Sequence, residues 1–135
     1  MTAYILVVED NEYNLELVQY LLDMCGYRVA VARNGEEGLA EVRRRQPDLI
    51  LTDLQMPVLD GYQMLEQLRQ DPVFAAIPVI AVTAFSMRGD EQRIRASGFD
   101  DYIAKPIDPE TFIAQVEQRM PPGLRAHRPG GTTLE

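Results

Sequence analysis

Cysteine and histidine are almost absent: the 135 residues hold one of each, Cys25 and His127. A lone cysteine excludes an internal disulfide framework and a cysteine-rich zinc site. A lone histidine, set in a Pro/Gly-rich stretch, excludes a multi-histidine metal centre and argues against a histidine-based triad. Tryptophan is missing, and six Tyr and four Phe make no aromatic platform for nucleic-acid bases. Positive charge is in deficit. Lys+Arg is 13 against 21 Asp+Glu, for a net charge of -8 and a pI near 4.6. Such a surface repels phosphate backbones and anionic lipid, so neither nucleic acid nor a membrane is an expected partner. No apolar run reaches the roughly eighteen residues of a membrane span. The apolar opening, Tyr4 to Val8, stops at Glu9-Asp10, too soon for a signal peptide. The expected compartment is the cytoplasm.

What is present is a regular alternation. Five short apolar runs alternate with five longer amphipathic stretches. Tyr4-Ile5-Leu6-Val7-Val8 is apolar on both parities, as for a strand buried on both faces. Asn11 is positioned to cap a helix carrying Leu15, Val18, Leu21, Leu22 and Cys25, which Gly26 stops. Tyr27 to Ala32 reads as the second strand and Gly35 to Gln46 as the second helix, closed by Pro47. Asp48 to Thr52 is the third strand, followed by a loop through Gly61 and a helix marked by Met64, Leu65 and Leu68. Pro78 to Thr83 is the fourth strand, and residues around Arg88 to Ser97 form a polar helix ended by Gly98. Asp101 to Ala104 is a short fifth strand, and Pro109 opens a last helix with Phe112, Ile113 and Val116. Residues 121–135 hold three Pro and three Gly and read as a flexible tail, so the domain spans residues 1–120. Strict βα alternation predicts an α/β fold: a doubly wound, five-stranded parallel sheet with five helices, binding ligands at the carboxyl ends of its strands.

The polar residues of interest all follow strand ends: Glu9 and Asp10, Asp53, Thr83 and Lys105. With strands in the order 2-1-3-4-5, four of them would be neighbours spaced about 4.8 Å apart and these side chains would share one pocket. Three carboxylates repel one another, and a divalent cation relieves the repulsion; all-oxygen ligation suits Mg2+, with Mn2+ as a substitute. A carboxylate beside Mg2+ is competent to attack phosphorus, with a Lys ammonium and a Thr hydroxyl meeting the other phosphoryl oxygens. Taken singly the residues have ordinary readings. Glu9-Asp10 suits a helix N-terminus, Asp53 a turn, Lys105 a solvated surface and Tyr102 a half-buried strand.

Four segments together resemble the receiver domain of two-component response regulators. They are Val7-Val8-Glu9-Asp10-Asn11, Asp53-Leu54-Gln55-Met56-Pro57-Val58-Leu59-Asp60-Gly61, Ala81-Val82-Thr83-Ala84 and Tyr102-Ile103-Ala104-Lys105-Pro106. The stretch from Ala81 to Arg95 is similar to single-domain regulators of the DivK type. The resemblance covers residues 4 to about 120 and implies the 2-1-3-4-5 flavodoxin-like order. It implies that Asp53 takes a phosphoryl group from a histidine kinase or a histidine phosphotransfer protein. Mg2+ would be held by Asp10, Asp53 and the Gln55 backbone carbonyl, with Glu9 acting mainly through water. Thr83 and Lys105 would contact the phosphoryl group, Tyr102 would turn inward as a switch, and Lys105-Pro106 would be a cis peptide. The surface of the fourth helix, fifth strand and fifth helix would then meet a downstream protein. Gln55 and Phe85 flank the pocket and are expected to tune the lifetime of the phosphorylated state. Chemistry on Asp53 would be self-directed, not turnover on a separate substrate.

Other classes fit less well. An FMN carrier of the same architecture needs a phosphate-cradling first loop, and Glu9-Asp10-Asn11-Glu12 would repel phosphate. An aspartyl phosphatase wants a second acid where Gln55 stands. An EF-hand loop from Asp10 fails because Leu15 replaces its glycine. A receiver belonging to a hybrid kinase or a longer regulator remains an open alternative, although no output segment follows residue 120 in this sequence.

Overall fold

The computed structural model describes residues 3–84 and 88–124. Its five strands are β1 (Tyr4–Val8), β2 (Arg28–Ala32), β3 (Leu49–Thr52), β4 (Val79–Thr83) and β5 (Asp101–Ala104). They form one parallel sheet in the order β2-β1-β3-β4-β5. The intervening helices are α1 (Glu12–Met24), α2 (Gly35–Arg44), α3 (Gly61–Gln70), α4 (Arg88–Ala96) and α5 (Pro109–Gln118). This is the α/β doubly wound architecture that the alternation predicts.

Strand parity divides the core in two. Ile5, Val7, Leu49, Leu51, Ile80, Val82 and Ile103 point to one face, where Leu15, Val18 and Leu22 of α1 and Phe112 and Val116 of α5 cover them. Their sequence neighbours Leu6, Val8, Ile50, Val79 and Ala81 point to the other, against Leu39 and Val42 of α2, Met64, Leu65 and Leu68 of α3 and Ile94 of α4. Two apolar faces require apolar residues at both parities, which is why the strands read as continuous hydrophobic runs.

Local signals fix the helix starts. The side chains of Asn11, Asn34, Asp60 and Asp108 each accept a backbone N–H of the first turn that follows. Asp60 and Gln63 close a reciprocal capping box, and Pro109 supplies the fixed φ of a first helical position. Gly26 ends α1 with φ +86°, a conformation that glycine adopts freely.

Several boundaries differ from the sequence reading; β3 and β4 each start one residue later than expected, at Leu49 and Val79. β2 starts at Arg28, because the Tyr27 N–H turns back to the Leu22 carbonyl at 3.2 Å and closes α1, while its buried hydroxyl donates to the Glu117 carboxylate. α2 ends at Arg44 rather than Gln46: Pro47 bars Gln46 from the helix, and Arg45 is already extended at φ -157°. The chain past 120 is also packed: Pro122–Leu124 form a 3-10 turn, and Leu124 lies half-buried against the α1–α5 side of the core. His127 and the rest of the expected tail lie outside the described residues.

Two surface features bear on function. On α1, Tyr13, Tyr20 and Met24 are 74%, 60% and 63% exposed, and the half-buried Leu17 lies between them. At this spacing they make an outward apolar stripe opposite the buried one. α4 is thinly anchored: Ile94 is its one buried residue among those described.

Candidate functional site

The pocket is an extension of the sheet. Past the strand ends the parallel ladder continues: Glu9 donates its N–H to the Ala32 carbonyl at 2.9 Å, Asp53 to Val8 at 2.9 Å and Lys105 to Thr83 at 2.8 Å. Glu9, Asp53 and Lys105 thereby emerge side by side above a floor of Val7, Val8, Val18, Leu51 and Val82. The Lys105 Nζ sits 3.0 Å from Glu9 Oε1 and 3.1 Å from Asp53 Oδ2. Asp53 Oδ1 accepts the Leu54 N–H at 2.7 Å, and Glu9 Oε2 accepts the Asn11 N–H at 3.2 Å. Asp10 is exposed at the mouth, and one carboxylate oxygen from each of Glu9, Asp10 and Asp53 lies within 4.8 Å of the others.

Burial decides the electrostatics. Glu9 is 3% exposed, and desolvation pushes its carboxyl above the usual range despite the Lys105 hydrogen bond. For Lys105 burial acts downward, but the Glu9 hydrogen bond and the Asp53 and Glu9 charges outweigh it and hold the ammonium above its usual value. Lys105 is also the only lysine in the sequence; the remaining positive side chains are arginines. One ammonium therefore faces three acids, and the donor set is all oxygen. That set fits a small hard cation such as Mg2+ and not a thiolate or imidazole metal.

The other expected residues are placed as follows. Thr83 ends β4 and is 1% exposed. Gln55 is exposed on the loop two residues past Asp53. The Lys105-Pro106 peptide is cis. Tyr102 of β5 pairs with Ala81 of β4 and is half-buried, and Arg95 lies 5.6 Å over its ring. Phe85 lies outside the described residues.

Sequence reasoning passed over two supports. Gly61 opens α3 directly against the phosphoacceptor candidate: a Cβ there would lie 2.3 Å from the Asp53 carbonyl oxygen. The Asp60-Gly61 pair at a helix start was the available signal. Arg69 binds the carbonyls of Ala75, Ile77 and Gly98 and the Asp100 carboxylate, tying α3 to the segments that enter β4 and β5, at the end of the sheet away from the pocket. Nothing in its local sequence marks it.

The sequence matches the family model described as response regulator receiver domain over residues 5–117. The chain belongs to that family. Among characterised relatives, the polar-differentiation response regulator DivK of Brucella ovis is 44% identical over 120 residues, covering 89% of this chain and 98% of that protein. The receiver domain of the sensor histidine kinase PA1611 from Pseudomonas aeruginosa, solved with magnesium in its active-site cleft, is 32% identical with a TM-score of 0.81 over 88% of this chain and 98% of that one. The chemotaxis protein CheY4 of Vibrio cholerae is 27% identical with a TM-score of 0.83, covering 89% of this chain and all of that one. The chain is thus a receiver domain of two-component signalling, and the 2-1-3-4-5 sheet is that of its CheY-like neighbours. Receiver domains work with histidine kinases and downstream targets and are not turnover enzymes of the ordinary kind. Among the described residues no helix is long and apolar enough to cross a membrane.

Proposed function

We propose that Asp53 accepts a phosphoryl group from a phosphohistidine on a histidine kinase or phosphotransfer protein. A carboxylate oxygen of Asp53 forms the new P–O bond as the N–P bond breaks, and the leaving imidazole takes a proton. The observation that carries this reading is the Lys105 ammonium bridging Glu9 and Asp53 beside Asp10. Asp10, Asp53 and the Gln55 backbone carbonyl would hold Mg2+, or Mn2+ in its place, with Glu9 acting through water. The ion would neutralise charge on the transferring oxygens. Lys105 and Thr83 meet the other phosphoryl oxygens, Tyr102 turns inward as the switch, and Gln55 and Phe85 set water access and lifetime. Residues 1–120 form the receiver unit, and the turn at Pro122–Leu124 packs against it. Hydrolysis of the phosphoaspartate is self-directed. The same reading places the chain in the cytoplasm, where phosphohistidine donors are charged.

The α1 stripe supports a helical donor. It begins at Tyr13, three residues past Asp10, and the exposed Glu12, Glu16 and Asp23 border it. A partner helix with an apolar seam and basic flanks complements that surface. The α4–β5–α5 side remains for a downstream protein.

The test is intact mass after treatment with a small phosphodonor and Mg2+. One added phosphoryl group on wild type and none on Asp53→Asn supports the reading; no adduct, or an unchanged one on Asp53→Asn, refutes it. Whether this receiver acts alone is a second question. The DivK match spans nearly all of that regulator, whereas PA1611 is a kinase-borne receiver. The higher identity favours a stand-alone regulator. A flavin carrier is disfavoured by the carboxylates that fill the mouth of the pocket.

A further inference from the structure

α4 is the least anchored helix, yet two aromatic contacts hold its flanks. On one side Arg93 stacks 4.2 Å over the Tyr62 ring of α3, and Tyr62 meets the edge of Phe99 at 5.7 Å and 76°. On the other, Arg95 lies 5.6 Å over the Tyr102 ring of β5. Glu91 and Arg95 are one turn apart and pair with each other at 3.4 Å. The two flanks differ in one respect. The Tyr62 side makes no contact with the Tyr102 ring, whereas the Arg95 contact on the β5 side is lost when that ring rotates away from α4.

We propose that Glu91 and Arg95 are positioning residues that latch Tyr102 outward and so set how readily Asp53 is phosphorylated. The proposal rests on the switch role given to Tyr102 above. A contact made in one of two conformations biases their equilibrium by its own strength and nothing else. Inward rotation forfeits the cation–π contact, and the Glu91 carboxylate holds the Arg95 guanidinium where that contact forms. Because conformation and phosphorylation are linked, a weaker latch also makes phosphorylation easier. Both groups are solvent-exposed, so each contact shifts the equilibrium by only about 2–5-fold. Such a latch is a graded setting of basal responsiveness.

The experiment compares initial rates of acyl-phosphate formation from a small phosphodonor at saturating Mg2+. It also follows the Tyr102 ring resonances of the unphosphorylated protein. Arg95→Met and Glu91→Gln are each expected to speed phosphorylation by about 2–5-fold and to move the ring signals toward their phosphorylated positions. In a Tyr102→Leu background, which lacks the ring, neither Arg95→Met nor Glu91→Gln should add anything further. Arg93→Met, which frees the opposite flank, should leave the rate unchanged. Equal acceleration by Arg93→Met would reveal general loosening of α4 and overturn the latch. So would unchanged rates in Arg95→Met and Glu91→Gln while wild type still forms its adduct. Absence of any adduct on wild type would overturn the phosphoacceptor reading and the latch together.

Discussion

Gly61→Ala is a small change with a large consequence, because the new methyl has no free direction. Its Cβ would lie 2.3 Å from the Asp53 carbonyl oxygen and 3.1 Å from the Leu54 Cα. Ordinary carbon–oxygen contact needs roughly 1 Å more, by the spacing at which non-bonded atoms attract. Both obstacles are backbone, so no rotamer relieves them. The Asp53 peptide is held too: its N–H donates to Val8 at 2.9 Å, its carbonyl accepts the Thr52 hydroxyl at 2.9 Å, and the Gly61 N–H donates to Leu54 at 3.0 Å. The displacement is therefore shared between the start of α3 and the backbone that carries the Asp53 carboxylate. Overpacking of this kind costs about 1–3 kcal/mol of stability. A displacement near 1 Å at a reacting group slows chemistry by roughly 100-fold. Urea unfolding reads the first effect. Intact-mass kinetics with a small phosphodonor, on protein shown to be folded by circular dichroism, reads the second. A Gly61→Ala protein with wild-type phosphorylation rate and a stability change below about 0.5 kcal/mol, the range of an innocuous surface substitution, would refute the reasoning.

Other consequences follow from the same geometry. Val58, 71% exposed with φ +71°, sits in a γ-turn closed by the Leu59 N–H on the Pro57 carbonyl at 2.8 Å. Relief of left-handed strain by Val58→Gly, about 1–2 kcal/mol, exceeds the entropic cost of glycine, so the thermal midpoint should rise by a few degrees. Tyr13→Ala should slow phosphotransfer from a phosphohistidine protein by about tenfold, the effect of a modest interface anchor, while leaving the rate with a small phosphodonor unchanged. Lys105 has a folded-state pKa raised above 10.5, so the stability it contributes is fully present below pH 10.5 and lost as pH rises through the raised value. Urea midpoints of wild type and Lys105→Met should accordingly converge above that pH; parallel curves would count against the Glu9–Lys105–Asp53 contacts. Because Lys105 is the only lysine, an amine acylating reagent modifies it and the N-terminus alone, and Mg2+ should alter its labelling.

Much of this was legible in the chain. Helix starts at Asn11, Asn34, Asp60 and Asp108 are local events, decided by a side chain and an N–H a few residues on, so they show in sequence. Strand burial showed as apolar residues on both parities. The strand-end polar residues showed because each apolar run stops at one, although the order that brings Glu9, Asp53 and Lys105 together came from family resemblance. What stayed hidden depends on distant partners. Tyr27 continues the apolar run of β2 in sequence, but its N–H closes α1 on the Leu22 carbonyl and its buried hydroxyl donates to Glu117, ninety residues away. The contact of Tyr102 with Arg95, and the closeness of Gly61 to Asp53, arise from how α4 and α3 pack on the sheet. Leu124 lies in a Pro/Gly-rich stretch that composition alone reads as mobile, yet it packs on the core.

The most direct test is to identify the modified residue. Protein treated with phosphodonor and Mg2+ is reduced with borohydride, which converts a phosphoaspartate to homoserine, and then mapped by peptide mass spectrometry. Homoserine at position 53, dependent on Mg2+ and abolished by chelation, is the expected result. Homoserine at another acid, or at none while the intact mass still rises, would contradict the account.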